Sequence, residues 1–410
     1  MVTINMWVWG TESIAEEKVK LEATIFRKMF PDIEIKISLI SWHDAWDSIM
    51  NAANEAKGPD ILQVGSTWNA TLAYLGVIKD LTREFKDSNL AEDIFVPAAC
   101  VSCHFPNSAQ VSSVPWFVDI RAMYYRKDIF EKLGMSADNL YDWTSFKQTC
   151  DTIAKFKQEE KSIEVLAVSG QQEALLLQNI APWIWAAGGD FLTPDGIRAA
   201  CNTQEVLDGL EFYISLISKG YIPLSILRLN EYEINERFFI KGAYAMAIPG
   251  PLTDWNVLDP NSSIYAEEVT KYCIPCMFPE GPAGRFTFCG GSNLAITSFS
   301  RYPREAWEFI KFLVSYESQN RYARGNKFPS LLESFDSLFM KEELELGTLI
   351  KSWKYGRSFP NVASWGSIES LLIQCFGKIF ARVQEGDYDM TKIRTDLDQA
   401  ALDVDSLLAR

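Results

Sequence analysis

Val2-Thr3-Ile4-Asn5-Met6-Trp7-Val8-Trp9 opens a stretch, residues 2–64, whose hydrophobic period changes four times. Val2, Ile4, Met6 and Val8 alternate onto one side, which reads as a strand. From Ile14 to Phe30 the apolar residues Leu21, Ile25, Phe26, Met29 and Phe30 recur at helical spacing, and Pro31-Asp32 stops the run. Ile33, Ile35, Ile37 and Leu39 then alternate with Glu34, Lys36 and Ser38. A second helix is predicted over Asp44 to Ala56, stopped by Gly58-Pro59, and Ile61 to Val64 is a third strand. β-α-β-α-β with short connections predicts a parallel sheet with right-handed crossovers.

Helices and short strands continue to the end, with turn clusters at Gly188-Gly189, Pro249-Gly250-Pro251, Gly281-Pro282 and Gly290-Gly291. The part after Ser300 reads as mostly helical, and Thr391 to Leu408 is amphipathic. A chain of 410 residues is long for one domain, and no flexible linker divides it. Two domains without a linker predict several chain crossings between them.

Composition narrows the function. The 54 acids outnumber the 39 bases, no basic run occurs, and nucleic acid or an anionic membrane surface is a poor partner. No run approaches the roughly 20 apolar residues of a membrane helix. Met1 leads straight into a strand, which predicts either a cytoplasmic chain or a mature exported one. Two Cys-x-x-Cys pairs, 100/103 and 273/276, have zinc spacing, but they lie far apart and only His43 and His104 could join them. Buried thiols or one or two disulfides are the readings left open. No nucleophile motif, phosphate loop or metal-spaced His cluster is present, and no cofactor is implied. A pair of carboxylates is enough for glycoside hydrolysis, and 54 acids leave that reading open.

Each of the first three strands ends beside a tryptophan: Trp9-Gly10-Thr11-Glu12, Ser41-Trp42, and Gly65-Ser66-Thr67-Trp68. Ligands of open parallel sheets bind beyond the carboxyl ends of the strands. A rigid aromatic face beside Glu12, Ser66 and Thr67 suits a pyranose, which offers C–H bonds to stack and hydroxyls to bind. The same three indoles would also cage a quaternary amine, or simply cover the end of the sheet.

Longer matches now fall into order. Gly58-Pro59-Asp60-Ile61-Leu62 with Leu75-Gly76-Val77-Ile78-Lys79-Asp80-Leu81 resembles the extracellular solute-binding proteins of carbohydrate ABC transporters (maltose-binding-protein-like, family 1). Val114-Pro115-Trp116 through Asp119 and Met123 to Phe130 resemble that family's first interdomain crossing. Trp143 to Phe146, Ala186 to Phe191, and Phe238 to Met246 followed by Pro249-Gly250 match further segments. Gly290 to Ile296 resembles the second crossing, and Ala306 to Ile310 the helix after it.

The resemblance implies an α/β, two-lobed periplasmic-binding-protein-like fold, each lobe a mainly parallel sheet flanked by helices, joined by a multi-crossing hinge. One lobe would hold 1–117 and 290–317, the other 118–289 and 318–410, with crossings near 117–122, 286–291 and 315–320. It implies a monomer that performs no catalysis. That monomer would be exported or lipid-anchored at the cell surface, bind an oligosaccharide by hinge closure, and pass it to membrane permease subunits of an ABC importer. Carried onto this chain, ligand contacts fall on Trp9, Glu12, Trp42, Ser66, Thr67, Trp68, Asp119 and Arg121 in and beside the first lobe. The others are Gln171, Gln178, Trp185, Pro249, Trp255, Gly291, Ser292 and Trp365. Each has a plainer reading: Asp119 with Arg121 as a hinge ion pair, Gln171 as a surface residue, and at most one of Trp183 and Trp185 facing ligand. Leu252 stands where many relatives carry an aromatic, with Trp255 three residues on as a substitute.

Overall fold

The computed structural model describes residues 1–10, 13–88, 90–160, 162–170, 174–249, 266–323, 328–334 and 351–409. The chain divides into two compact units, Met1–Asp119 with Gly290–Lys341 and Asn361–Trp365, and Ile120–Cys289 with Glu342–Pro360 and Gly366–Arg410.

The strands are β1 (Val2–Trp9), β2 (Ile33–Ile40), β3 (Ile61–Gly65), β4 (Val114–Ile120), β5 (Met123–Arg126) and β6 (Glu164–Val168). They continue with β7 (Tyr244–Ile248), β8 (Cys273–Cys276), β9 (Thr287–Ile296), β10 (Phe328–Pro329) and β11 (Gly356–Arg357). Helices of eight or more residues are α1 (Ser13–Met29), α2 (Trp42–Glu55), α3 (Trp143–Glu159), α4 (Ala174–Ala187) and α5 (Gln204–Ser218). After them come α6 (Pro303–Leu313), α7 (Tyr316–Ala323), α8 (Trp365–Gln384) and α9 (Met390–Leu408).

The first unit's sheet runs β10-β4-β9-β3-β1-β2. β1 pairs in parallel with β2 and β3, as the opening stretch predicts. β9 returns antiparallel to β3, and β10 antiparallel to β4. Side-chain parity builds three layers. Ile4, Met6 and Val8 of β1 join Leu294 and Ile296 of β9 against Phe26 of α1 and Phe309 of α6. The opposite parity, Trp9, Leu62, Val64 and Ala295, packs on Ala45 and Ile49 of α2. Each such buried side chain contributes about 1.5–3 kcal/mol.

α2 starts two residues before the position predicted from the apolar pattern. Ser41 caps it, its Oγ accepting from the Asp44 N–H at 3.2 Å. Trp42 is therefore the first helical residue rather than the tail of a strand.

The second unit carries the sheet β6-β7-β5-β8, parallel between β6 and β7 but antiparallel on both sides of β5. Both sheets are mixed, which corrects the expectation of mainly parallel ones. The antiparallel members are β5, which pairs with β7 and β8, and β9, which pairs with β3. An aromatic cluster fills this unit, with Trp183 of α4 within 5.4–6.4 Å, centroid to centroid, of Trp143, Phe146, Phe212, Tyr213 and Phe278.

The chain changes unit between Asp119 and Ile120 on β4 and between Cys289 and Gly290 on β9. Near the expected third crossing at 315–320 the chain instead stays with the first unit. Gln319 donates to Trp116 O at 2.8 Å, and Arg321 and Ser318 both bind Glu22 at 2.8 Å. Glu22 is buried, so these bonds satisfy a carboxylate that would otherwise be costly there. Trp365 also falls in the first unit, not with 318–410.

Candidate functional site

The carboxyl ends of β1 and β3 and the start of α2 bring five indoles together. Ring centroids run Trp7–Trp9 6.4 Å, Trp9–Trp42 6.4 Å, Trp42–Trp68 5.6 Å and Trp68–Trp46 5.7 Å, mostly edge to face. Edge-to-face packing holds each plane by its neighbour's quadrupole, which makes the array stiff. The members differ in exposure. Trp42 is 40% exposed, Trp68 and Trp46 are half-buried, and Trp9 is 1% exposed. Trp9 has core parity, and its Nε1–H donates to Gln63 O at 2.5 Å. The structure thus makes Trp9 the support of the array and Trp42 with Trp68 its open face.

Gln63 links this array to β9. Its Oε1 accepts from the Trp9 backbone N–H at 3.1 Å, and its Nε2 donates to Ser292 Oγ at 3.0 Å. Ser292, opposite Gly65 in the register, is buried. The Ser66 N–H reaches Gly291 O at 3.0 Å, placing half-buried Ser66 and Thr67 at the end of the sheet beside half-buried Gly291. Trp42 and Trp68 both pack over Gly65: a Cβ added there would lie 3.7 Å from Trp68 and 3.8 Å from Trp42, ordinary van der Waals contact.

In the second unit, Arg121 is 2% exposed. Its guanidinium donates to Gln178 Oε1 and, at 3.3 Å, to Pro249 O. The backbone holds it from both sides, with Arg121 N–H on Phe288 O at 3.0 Å and Thr287 Oγ1 on Arg121 O at 2.5 Å. Sequence reasoning named Arg121, Gln178 and Pro249 separately, and the fold brings them into one group. Asp119 is half-buried on β4.

Trp185 is 1% exposed, stacked beneath the Arg357 guanidinium at 5.2 Å and donating to Asp190 Oδ1 at 3.3 Å. Arg357 pairs with the other oxygen of Asp190. Trp183 is equally buried in a different cluster, so neither member of the pair presents an open face. Trp365, at the start of α8, is also 1% exposed. Glu12, Gln171 and Trp255 lie outside the described residues, as does Leu252.

Two participants escaped the sequence reading. Trp46 stands one helical turn after Trp42, and that i, i+4 spacing was a usable signal. Gln63 sits mid-strand in an apolar run, where nothing distinguishes a buried hydrogen-bonding glutamine from a surface one.

Glu369, one turn beyond Trp365 on α8, is 7% exposed and its Oε1 has no hydrogen-bond partner. Burial pushes its carboxyl from the ordinary 4.5 up to about 7. The unfolded chain ionises this group near 4.5, so between those values the folded state holds the extra proton and stability falls as pH rises. Glu369→Gln should therefore be close to neutral near pH 4.5 and stabilising by on the order of 2–3 kcal/mol at pH 8. Chemical denaturation at the two pH values checks it, and an equal effect at both would contradict it.

Among the described residues no three His, Cys, Asp or Glu side chains are grouped to hold a metal, and no helix is long and apolar enough to cross a membrane. The family described as bacterial extracellular solute-binding protein matches residues 23–347, well over half the chain. The diacetylchitobiose binding protein DasA of Streptomyces coelicolor is 22% identical over 380 residues, 90% of this chain and 82% of that protein. Among solved structures, maltose-bound MalE3 of T. maritima aligns with a TM-score of 0.81 at 23% identity, covering 99% of this chain and 100% of that one. The sugar-binding protein MalE of Xanthomonas citri aligns at 0.82 with 20% identity, covering 100% of this chain and 98% of that one. These relatives are binding proteins rather than enzymes. A two-unit α/β chain with this much of its length inside the family's match belongs to the bacterial extracellular solute-binding proteins.

Proposed function

We propose that this chain captures a carbohydrate, an oligosaccharide of at least two rings, and delivers it unaltered to the permease of an ABC importer. The observation that carries the reading is the open indole face: Trp42, 40% exposed and edge-on to Trp68, beside the hydroxyls of Ser66 and Thr67. Stacking on the rings removes C–H surface from water, and the hydroxyls bind the sugar's polar rim. The buried Arg121–Gln178–Pro249 group supplies charged and amide contacts from the second unit. Support comes also from the sugars in the names of similar proteins, diacetylchitobiose and maltose.

In this reading the units close on the ligand, and closure is favoured by the ligand's greater affinity for the closed state. The chain acts as a monomer on the extracellular side, lipid-anchored or periplasmic, and makes or breaks no bond in the sugar.

Thermal melting against mono-, di- and trisaccharides of several linkage series tests it, with polyamines and betaines alongside. Ligand at a hundredfold excess over its dissociation constant should add about 2.7 kcal/mol. A rise confined to one glycan series, growing from one ring to three, is expected, with the sugar recovered intact. Stabilisation by amines alone would replace the ligand class, and cleaved product would replace binding with hydrolysis.

A further inference from the structure

The two Cys-x-x-Cys pairs share a spacing but not a backbone. Cys273-Ile274-Pro275-Cys276 is strand β8, Cys273 opposite Arg126 and Cys276 opposite Met123. Three strand steps separate the Cα atoms by about 10 Å and turn the side chains to opposite faces. A disulfide spans roughly 4.4–6.8 Å, so that pair cannot close. Cys100 lies in the short helix Pro97–Val101, and the Cys103 N–H donates back to Cys100 O at 2.9 Å. That bond closes a four-residue turn, whose ends stand within about 7 Å.

We propose that Cys100 and Cys103 are a modification site, a dithiol that closes to a disulfide by exchange with an external disulfide. Cys100 lines a cavity of about 510 Å³ with Glu92, Pro97, His104, Phe105 and Asn361. Cys103 does not line it and is buried. The order of events follows from that placement. The Cys100 thiolate attacks one sulfur of the external disulfide and releases one thiol. Cys103, deprotonated in turn, attacks Cys100 Sγ and expels the second. Two electrons pass to the external disulfide, which leaves as two thiols carrying the two protons.

Burial, with the Glu92 carboxylate adding to it, pushes the Cys100 thiol up to about 12. Thiolate is scarce at neutral pH, so exchange on the folded protein rises nearly tenfold for each pH unit. In a chain still folding, the thiols are not yet buried and closure meets no such barrier.

The turn is joined to β9 and to the segment that follows β3. Ser102, between the cysteines, accepts from Asn293 Nδ2 at 2.9 Å. Cys103 O accepts from Ser112 Oγ at 2.9 Å, and that hydroxyl accepts from Asn69 Nδ2 at 2.7 Å. Asn293 follows Ser292 on β9, and Asn69 follows Trp68. A closed pair braces the turn on which both segments rest.

The whole chain is incubated with oxidised glutathione near pH 7 and near pH 9, and in parallel refolded from denaturant in the same buffer. The expected product is lighter by two hydrogens, joins Cys100 to Cys103 in peptide maps, forms faster at the higher pH, and melts at a higher temperature than the reduced protein. Cys103→Ser should stop at a mixed disulfide on Cys100. No bridge in either the folded or the refolded wild type, or one that maps to Cys273–Cys276 instead, would overturn the assignment.

Discussion

Gly291→Ala is expected to destabilise the protein by about 3–5 kcal/mol. Gly291 has φ +138, a region that residues with a side chain seldom adopt. An added Cβ would stand 2.2 Å from Phe117 O and 2.9 Å from Val118 Cα. Both obstacles are backbone atoms of β4, so relief requires moving a strand rather than turning a side chain. β4 and β9 are also the strands on which the chain changes unit, and β9 carries the Ser292 that holds Gln63. Loss of stability should come with weaker ligand binding. Urea denaturation of the wild type and the variant gives the first number. A change under 1 kcal/mol would mean that β4 yields easily and that the close approach carries little constraint.

Trp42→Ala should divide differently, with affinity falling about 30-fold or more and stability changing little. Its ring is 40% exposed at the first residue of α2, so truncation leaves a surface notch and not a core cavity. An aromatic anchor at a binding face is worth 2 kcal/mol or more, which is about 30-fold. Trp183→Ala is the control. That ring sits among five aromatic neighbours at 1% exposure, and its loss should cost about 3–5 kcal/mol of stability. Calorimetric titration of Trp42→Ala with the glycan found by thermal melting checks the prediction. Undiminished affinity in a folded Trp42→Ala protein would remove the open indole face from the site.

Legibility of the site tracked its distance along the chain. The loops after β1 and β3 were readable because a strand's end, a turn and a tryptophan occur within four residues of each other. Which indole is open was not readable. Trp9 and Trp42 look alike as strand-end residues, yet one has core parity and the other begins a helix whose cap, Ser41, was missed. The Arg121 group joins residues 57 and 128 positions apart in sequence, and the stack of Trp185 under Arg357 spans a greater interval. No local pattern encodes such pairs.

Local periodicity determined the β-α-β-α-β opening, its parallel pairing and the inward face of β1, because side-chain alternation and helical spacing are properties of neighbouring residues. The order of motifs along the chain was enough to carry the family resemblance. The antiparallel return of β9, the retention of α7 in the first unit, the burial of Trp9, Trp185 and Trp365, and the different backbone settings of the two Cys-x-x-Cys pairs were decided only in three dimensions. The physical reason is common to them all. Each depends on which backbone or ring from a distant segment occupies the space beside a residue, and close packing settles that for the whole chain at once.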